Sequence, residues 1–319
     1  MTHIILISKD YPNIARQELE SLLEISLKPF VDGYFITEDK FDLKLLPRLG
    51  LTREIYEVKQ TFDTSNEEQV LENMNLDNIK NSYKIDVVSF EGLSKDVKQF
   101  ADKLHVKLKN PLVDIKNPEN TYVFFWTLFE VKLTKSIFSN KDNPHGRRSH
   151  LKEFNHPTSI HPKIAKAMIN MGAKKSFIDP FCGAGGIVIE GALMGLDVKG
   201  SDVDTQMIKR AKANSKAFGL EIDLEEKDAL KLRDEVECIV TDLPYGKNSR
   251  LTNDLVDLYC DFFTVANGLT DLIIVGAHAD TDMDAYLDES NFYVWKQFPI
   301  YVHKSMTRTI SILKKDDGE

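Results

Sequence analysis

The sequence predicts an α/β protein: a doubly wound, mostly parallel sheet in the C-terminal half, preceded by smaller α+β units. Three observations carry this. From about residue 161 onward, apolar runs of strand length alternate with amphipathic helical stretches, the pattern that builds a parallel sheet covered on both faces. Two of those strands run into loops of ligand-binding character, Asp179-Pro-Phe-Cys-Gly-Ala-Gly-Gly and Asp242-Leu-Pro-Tyr-Gly. Upstream, short strands and helices follow one another without that regular alternation.

Composition sets the outer limits. A chain of 319 residues, 42% hydrophobic, is long enough for two or three domains with buried cores. The N-terminus has no basic leader, and no apolar run approaches the ~18 residues of a membrane span, so a cytoplasmic protein with no membrane partner is expected. Cys182, Cys238 and Cys260 form no CxxC pair and read as reduced packing residues. The formal charge of −9 argues against a nucleic-acid partner, but its distribution does not. Residues 1–78 carry 8 basic and 15 acidic side chains, residues 79–152 carry 14 and 8, and residues 153–319 carry 19 and 27. The middle of the chain is a basic island, which is either a solvated lysine-rich face or a phosphate-binding one.

Taken in order, Ile4–Ser8 reads as a strand and Asn13–Leu23 as a helix with Ile14, Ala15, Leu19, Leu22 and Leu23 on its apolar face. Gly33–Thr37 is a second strand, Leu43–Leu51 a helix and Glu54–Gln60 a strand, so residues 1–60 make a small α+β unit. Residues 61–145 form the next unit: helix 67–74, strand 82–90, helix 94–108 with Ser94 as its cap, a short strand from Leu112 ended by Pro118, and strands 121–129 and 131–137. A polar stretch punctuated by Pro144, Gly146 and Pro157 then gives a linker, residues 146–156. Its Arg147, Arg148 and Lys152 are either phosphate contacts or a solvated hinge. Residues 157–319 make the last domain, with helices at 161–171, 186–194, 204–218, 252–267 and 281–289. Its strands fall at 176–180, 197–202, 221–226, 236–241, 271–277, 292–302 and 306–313, and the last two, with no helix between them, imply one antiparallel member.

The first loop is a turn that glycine backbone alone makes easily. Gly183, Gly185 and Gly186 let a ligand press against the main chain, and Val188 stands where a dinucleotide fingerprint wants Gly or Ala. Asp179 suits a ligand bearing a cationic amine or caps the loop's own amides. Asp202, 17 residues after Gly185, can accept both hydroxyl hydrogens of a ribose. Asp204 is more simply a helix N-cap, and Asp228 can take a hydrogen bond from an adenine amino group. Each acid alone is an ordinary turn residue; three at successive strand ends suggest one cleft.

The second loop points to chemistry on nitrogen. The exocyclic amine of a base is a poor nucleophile because its lone pair is delocalised into the ring. The Asp242 carboxylate and a loop carbonyl such as that of Leu243 can hold both N–H groups and turn the lone pair towards a donor. Pro244 stiffens the loop and Tyr245 offers a face for stacking the base, which must first be flipped out of any helix.

Residues 155–319 resemble a class I S-adenosylmethionine-dependent methyltransferase of the amino-group type, with a Rossmann-like sheet and the loop signature (D/N)-P-P-Y. Asp179-Pro-Phe-Cys-Gly-Ala-Gly-Gly matches its cofactor motif, which implies cofactor contacts from Phe181 as well as from Asp179, Gly183, Gly185, Asp202 and Asp228. His156-Pro-Thr-Ser-Ile-His-Pro resembles the entry motif of RNA guanine-N2 methyltransferases, which implies that Pro157, Thr158 and Ser159 line the methionine end of S-adenosylmethionine. Residues 61–145 resemble a THUMP RNA-binding domain, and residues 1–60 the ferredoxin-like unit that accompanies it. The whole chain is similar to the archaeal tRNA guanine-10 N2-methyltransferase family, which implies tRNA as substrate and Asp242, Leu243, Pro244 and Tyr245 as the catalytic loop. Leu243 departs from the signature's first proline. A small helper protein is not readable from the sequence.

His145, His150, His156 and His161 are spaced five, six and five residues apart across a proline-broken loop, which fits no usual zinc site, so no metal is expected. The alternatives are the same chemistry on guanine 6 of tRNA, on ribosomal RNA or on adenine N6, and a non-catalytic tRNA-binding protein.

Overall fold

The computed structural model describes residues 1–108, 111–147, 160–245, 253–303 and 306–316. The chain divides into two compact units: Met1–Asp10, Ile25–Asp42 and Thr52–Lys141 form one, and Tyr11–Glu24, Leu43–Leu51 and Asp142–Glu319 form the other.

The first unit is built on one eight-stranded sheet. Its strands are β1 (His3–Ile7), β2 (Lys28–Val31), β3 (Tyr34–Thr37), β4 (Thr52–Phe62), β5 (Ser82–Ser89), β6 (Leu112–Val113), β7 (Asn120–Trp126) and β8 (Val131–Ser139), in the order β2-β3-β1-β4-β8-β7-β5-β6. Where the sequence predicts a boundary near residue 60, β4 runs through it and pairs with β1 on one side and β8 on the other. Strand β2 was not expected; its Pro29 lacks a donor, which an edge strand tolerates. Helices α2 (Glu67–Asn73) and α3 (Val97–Lys107) belong to this unit. The cap of α3 is Asp96, which accepts from the Gln99 N–H at 3.0 Å, rather than Ser94. Phe100 and Leu104 of α3 join Tyr122, Phe124 and Trp126 of β7 in one apolar core.

The second unit takes in helix α1 (Pro12–Leu23) and residues 43–51, which the sequence reading places in the N-terminal domain. Residues 43–51 were expected to be helical; Pro47 limits them to a 3-10 turn, Leu43–Arg48. The remaining helices are α4 (Pro162–Gly172), α5 (Gly186–Leu193), α6 (Thr205–Ala217) and α7 (Asn253–Ala266). Buried Glu18 of α1 accepts from the Gly50 and Leu51 N–H groups at 2.7 and 2.9 Å and from Asn170 of α4 at 2.8 Å, so these segments share one polar clamp.

The sheet of this unit has seven strands, β9 (Ser176–Asp179), β10 (Asp197–Asp202), β11 (Asp223–Glu226), β12 (Ile239–Asp242), β13 (Leu272–His278), β14 (Phe292–His303) and β15 (Met306–Lys315), ordered β11-β10-β9-β12-β13-β15-β14. Strands β9 to β13 pair in parallel, and β15 lies antiparallel to both neighbours, as the missing crossover helix implies. The order reverses between β9 and β12, so their carboxyl ends open the crevice in which a doubly wound fold binds ligands. The helix expected at 281–289 is only a 3-10 turn, Asp284–Tyr286, in a stretch whose Asp and Ser side chains compete for backbone hydrogen bonds. Cys182 and Cys238 are buried, and Cys260 is partly exposed.

Candidate active site

The two loops singled out in the sequence meet in one cleft. A cavity of about 670 Å³ is lined by Asp179 to Ala184 and Gly186 at the end of β9, by Asp202 and Asp204 at the end of β10, by Asp228 to Leu230 after β11, and by Asp242 to Tyr245 at the end of β12. Four successive strand ends therefore face one space.

Its floor is backbone. Gly183 has φ +51°, and a Cβ there would meet nothing within 4 Å, so its main chain borders open volume. Gly185 (φ +87°) does not line the cavity; it is the N-cap of α5. Phe181 packs edge-on against Phe262 of α7 while presenting itself to the cavity. With Ile187, Met207 and Leu230 it gives an apolar wall for a flat heterocycle.

The acids divide by role. Asp179 is buried, and its Oδ1 accepts from the Thr241 hydroxyl at 2.6 Å and the Phe181 N–H at 3.2 Å. Burial, with Asp242 and Asp202 nearby, pushes its carboxyl up to about 7. Asp202 accepts from the Gly183 N–H at 2.9 Å through Oδ2 and from the Asp204 N–H at 2.9 Å through Oδ1, so it braces the glycine turn as well as facing the cleft. Asp204 caps α6 through the Gln206 N–H at 2.7 Å. Asp228 caps the short turn after β11 through the Leu230 N–H at 3.0 Å and still borders the cavity.

At the second loop, both Asp242 oxygens are engaged. Oδ1 accepts from the Tyr245 hydroxyl at 2.5 Å and Oδ2 from Arg308 Nη2 at 2.9 Å, while Arg308 Nε donates to the Tyr245 oxygen at 2.6 Å. Burial raises the Asp242 pKa, and the Arg308 charge opposes that rise. Tyr245, read from sequence as a stacking platform, here turns its hydroxyl to Asp242, and burial raises its pKa. Leu243, at the position where the motif has proline, is 1% exposed and donates its N–H to the Gly276 carbonyl at 2.9 Å, a rung that proline could not supply. The Pro244 carbonyl accepts from the Tyr259 hydroxyl at 2.5 Å. The loop is thus held by β13, β15 and α7.

Residues 149–309 match the family model described as the RMKL-like methyltransferase domain. The chain belongs to that methyltransferase family. It is 27% identical to the tRNA (guanine(10)-N2)-dimethyltransferase of Methanothermobacter thermautotrophicus over 99% of this chain and 100% of the relative. With the protein of the same name from Pyrococcus abyssi it shares 31% identity, over 53% of this chain and 54% of that one. The crystal structure of TrmN from Thermus thermophilus matches 99% of this chain and 100% of its own, with 17% identity and a TM-score of 0.53. The fold is that of the class I S-adenosylmethionine-dependent methyltransferases.

Against this methyltransferase frame, Asp179, Phe181, Gly183, Asp202, Asp228, Asp242, Leu243, Pro244 and Tyr245 come together around the cleft. Pro157, Thr158 and Ser159 lie outside the described residues, as do Arg148, His150, Lys152 and His156. His161 caps α4 by accepting from the Lys163 N–H at 3.2 Å. Arg147, read as a possible phosphate contact, is instead turned inward to Asp142 and Glu190, each at 2.8 Å. Sequence reasoning gave Arg308 no chemistry and overlooked Thr241, Tyr259 and Gly276. For Arg308 the signal was the resemblance of Ser305-Met-Thr-Arg-Thr-Ile, at the final strand, to a recurrent element of the family; for Thr241 and Gly276 there was none beyond strand periodicity, and for Tyr259 none beyond helix periodicity.

Proposed function

We propose that the chain transfers a methyl group from S-adenosylmethionine to the exocyclic N2 amine of a guanosine in tRNA, at position 10, once or twice. The observation that carries this reading is the convergence of the Asp242 loop and the glycine turn on one cavity. The names of the full-length and partial relatives support the tRNA substrate, the position and the second methylation.

The residues present fit the cofactor. Open backbone at Gly183 accepts close approach, Asp202 at the rim suits ribose hydroxyls, the Phe181, Ile187 and Leu230 wall suits adenine, and Asp179 suits the amino-acid ammonium. When bound, the cofactor supplies an electrophilic methyl carbon on a cationic sulfur. The chain's own part is to orient the acceptor. Asp242 and a loop carbonyl would hold the amine hydrogens and so turn the nitrogen lone pair towards that methyl carbon. The methylated nitrogen then sheds one proton, for which the Asp242 carboxylate is the adjacent acceptor. The base must leave its helix to reach the loop, at a cost of a few kcal/mol.

In this reading residues 157–319 carry catalysis, residues 61–145 carry the THUMP-like RNA-binding function on a sheet that β1 to β4 of the ferredoxin-like residues 1–60 continue, α1 and residues 43–51 belong with the catalytic unit, and the protein works in the cytoplasm. The excess of 14 basic over 8 acidic side chains in residues 79–152 supports RNA contact there. No helix among the described residues is long and apolar enough to cross a membrane.

The test is incubation of the purified chain with the cofactor and unmodified tRNA, followed by nucleoside mass spectrometry and mapping. N2-methylated guanosine at position 10 is expected. An unchanged nucleoside profile refutes the tRNA reading, and methyladenosine refutes the guanine assignment. Asp242→Ala should abolish turnover while tRNA binding persists.

A further inference from the structure

The final strand places a buried cation against the catalytic loop. Arg308 is 4% exposed, and a guanidinium so removed from water needs acceptors for its fixed fork of donors. Two of them lie on the Asp242 loop. Nη2 donates to Asp242 Oδ2 at 2.9 Å and Nε to the Tyr245 hydroxyl oxygen at 2.6 Å; that hydroxyl donates to Asp242 Oδ1 at 2.5 Å. The three side chains close a ring. The sheet register produces it: Asp242 lies opposite Gly276 on β13, and His278, two residues on, lies opposite Arg308 on β15.

Building on the reading of Asp242 as acceptor for the target amine, we propose that Arg308 is a positioning residue for that step. It fixes the carboxylate through Oδ2 and leaves Oδ1, where the Tyr245 hydroxyl stands, as the oxygen that receives the amine N–H. A phenol O–H and an amine N–H offer the same feature to a carboxylate oxygen. Exchange of one for the other therefore leaves Oδ1 with a hydrogen bond throughout, and Oδ2 keeps its charge-assisted partner. A lysine at this position has a point charge in place of the fork and cannot reproduce both contacts with the same geometry.

The groups facing Asp242 are Asp179 from β9, Tyr259 from α7, Tyr245 from its own loop and Arg308 from β15, with the His278 ring of β13 edge-on to Tyr245 at 6.5 Å between centroids. Of these, Arg308 is the permanent cation. Burial raises the Asp242 pKa and Arg308 counters it, so loss of the guanidinium moves the carboxyl towards its neutral form.

The test compares the full-length chain with Arg308→Gln and Arg308→Lys. For Arg308→Gln, kcat on tRNA is expected to fall about 10- to 100-fold, from the loss of a buried charge-assisted hydrogen bond. KM for the cofactor should hold, and the acid limb of the kcat–pH profile should move to higher pH. Arg308→Lys should restore part of kcat and return the limb towards the native position. A glutamine variant with native kcat, or one that loses kcat with an unmoved acid limb, overturns the assignment. Should Arg308→Gln fail to fold by thermal melting, Arg308→Lys decides through the split between kcat and KM: a reduced kcat at native cofactor KM supports the assignment, and native kcat overturns it. If the native chain leaves tRNA unmethylated, the functional reading has failed on its own. The Asp242 carboxyl titration by ¹³C NMR then decides for Arg308: a higher pKa in the glutamine variant supports it, and an unchanged pKa overturns it.

Discussion

Gly276 faces Asp242 across the β12–β13 ladder, and a Cβ on Gly276 would lie 2.4 Å from the Asp242 Oδ1. The carboxylate occupies space that only the absence of a side chain provides. Gly276→Ala must therefore displace it by about 1 Å, and misplacement of that size at a reacting centre costs about 10²-fold in rate. The expected variant binds cofactor with native affinity by calorimetry and is at least that much slower in methyl transfer. Native turnover in Gly276→Ala would show that the position of Asp242 does not limit the reaction.

Gly183 poses the converse case. Its φ of +51° borders open cavity, so Gly183→Ala meets no protein atom within 4 Å. The added methyl costs about 1–2 kcal/mol for the left-handed conformation and stands where a ligand would approach. Cofactor affinity should fall by more than the thermal stability suggests. Equal cofactor affinity in the variant, measured by calorimetry, would remove this turn from the binding site.

The contrast between those two glycines shows what the sequence discloses. Gly183 sits in a local pattern with Asp179 and the strand before it, and Asp242 ends an apolar run, so strand, loop and candidate role are readable from neighbours in the chain. Gly276 lies inside an ordinary strand, and its purpose exists only once β13 is laid beside β12. Arg308 is 66 residues from its acceptor and depends on the antiparallel return of β15. Likewise, nothing local tells that α1 leaves the first sheet's unit for the second, because Glu18 finds its donors in Gly50, Leu51 and Asn170. Local pattern identifies elements; register and long-range burial assign partners.

That clamp should be a stability determinant. Asn170 donates to Glu18 Oε1 at 2.8 Å and to the Arg48 carbonyl at 3.0 Å, and accepts from Arg48 Nε at 3.2 Å. Arg48 also donates to the carbonyls of Ala173 and Lys174 at the end of α4. Asn170→Ala leaves a buried carboxylate and a buried guanidinium each short of a partner, at an expected cost of about 2–4 kcal/mol. A shift of the urea midpoint to lower concentration at unchanged slope is the predicted result. A variant as stable as the native chain would mean that water replaces the amide.

Asp179 makes the pH dependence of the second unit testable with a definite sign. Its carboxyl is pushed up to about 7 by burial, against an ordinary value of 3.8. Between those two values the folded chain binds more protons at this site than the unfolded chain does, so its contribution to stability declines as pH rises and is lowest above pH 7. Asp179→Asn keeps an acceptor for the Thr241 hydroxyl and the Phe181 N–H but does not titrate. The stability of the asparagine variant relative to the native chain should grow from near zero at about pH 4 to the order of a few kcal/mol at pH 8. Cofactor affinity should move the other way. A neutral carboxyl offers an ammonium group no charge, so native affinity should rise as pH passes through 7, whereas the variant should bind more weakly with a flat profile. Denaturant titrations and calorimetry from pH 5.5 to 8.5 on both proteins measure the two trends. Parallel curves for the native chain and the variant would show that Asp179 does not change charge across this range, against the raised pKa.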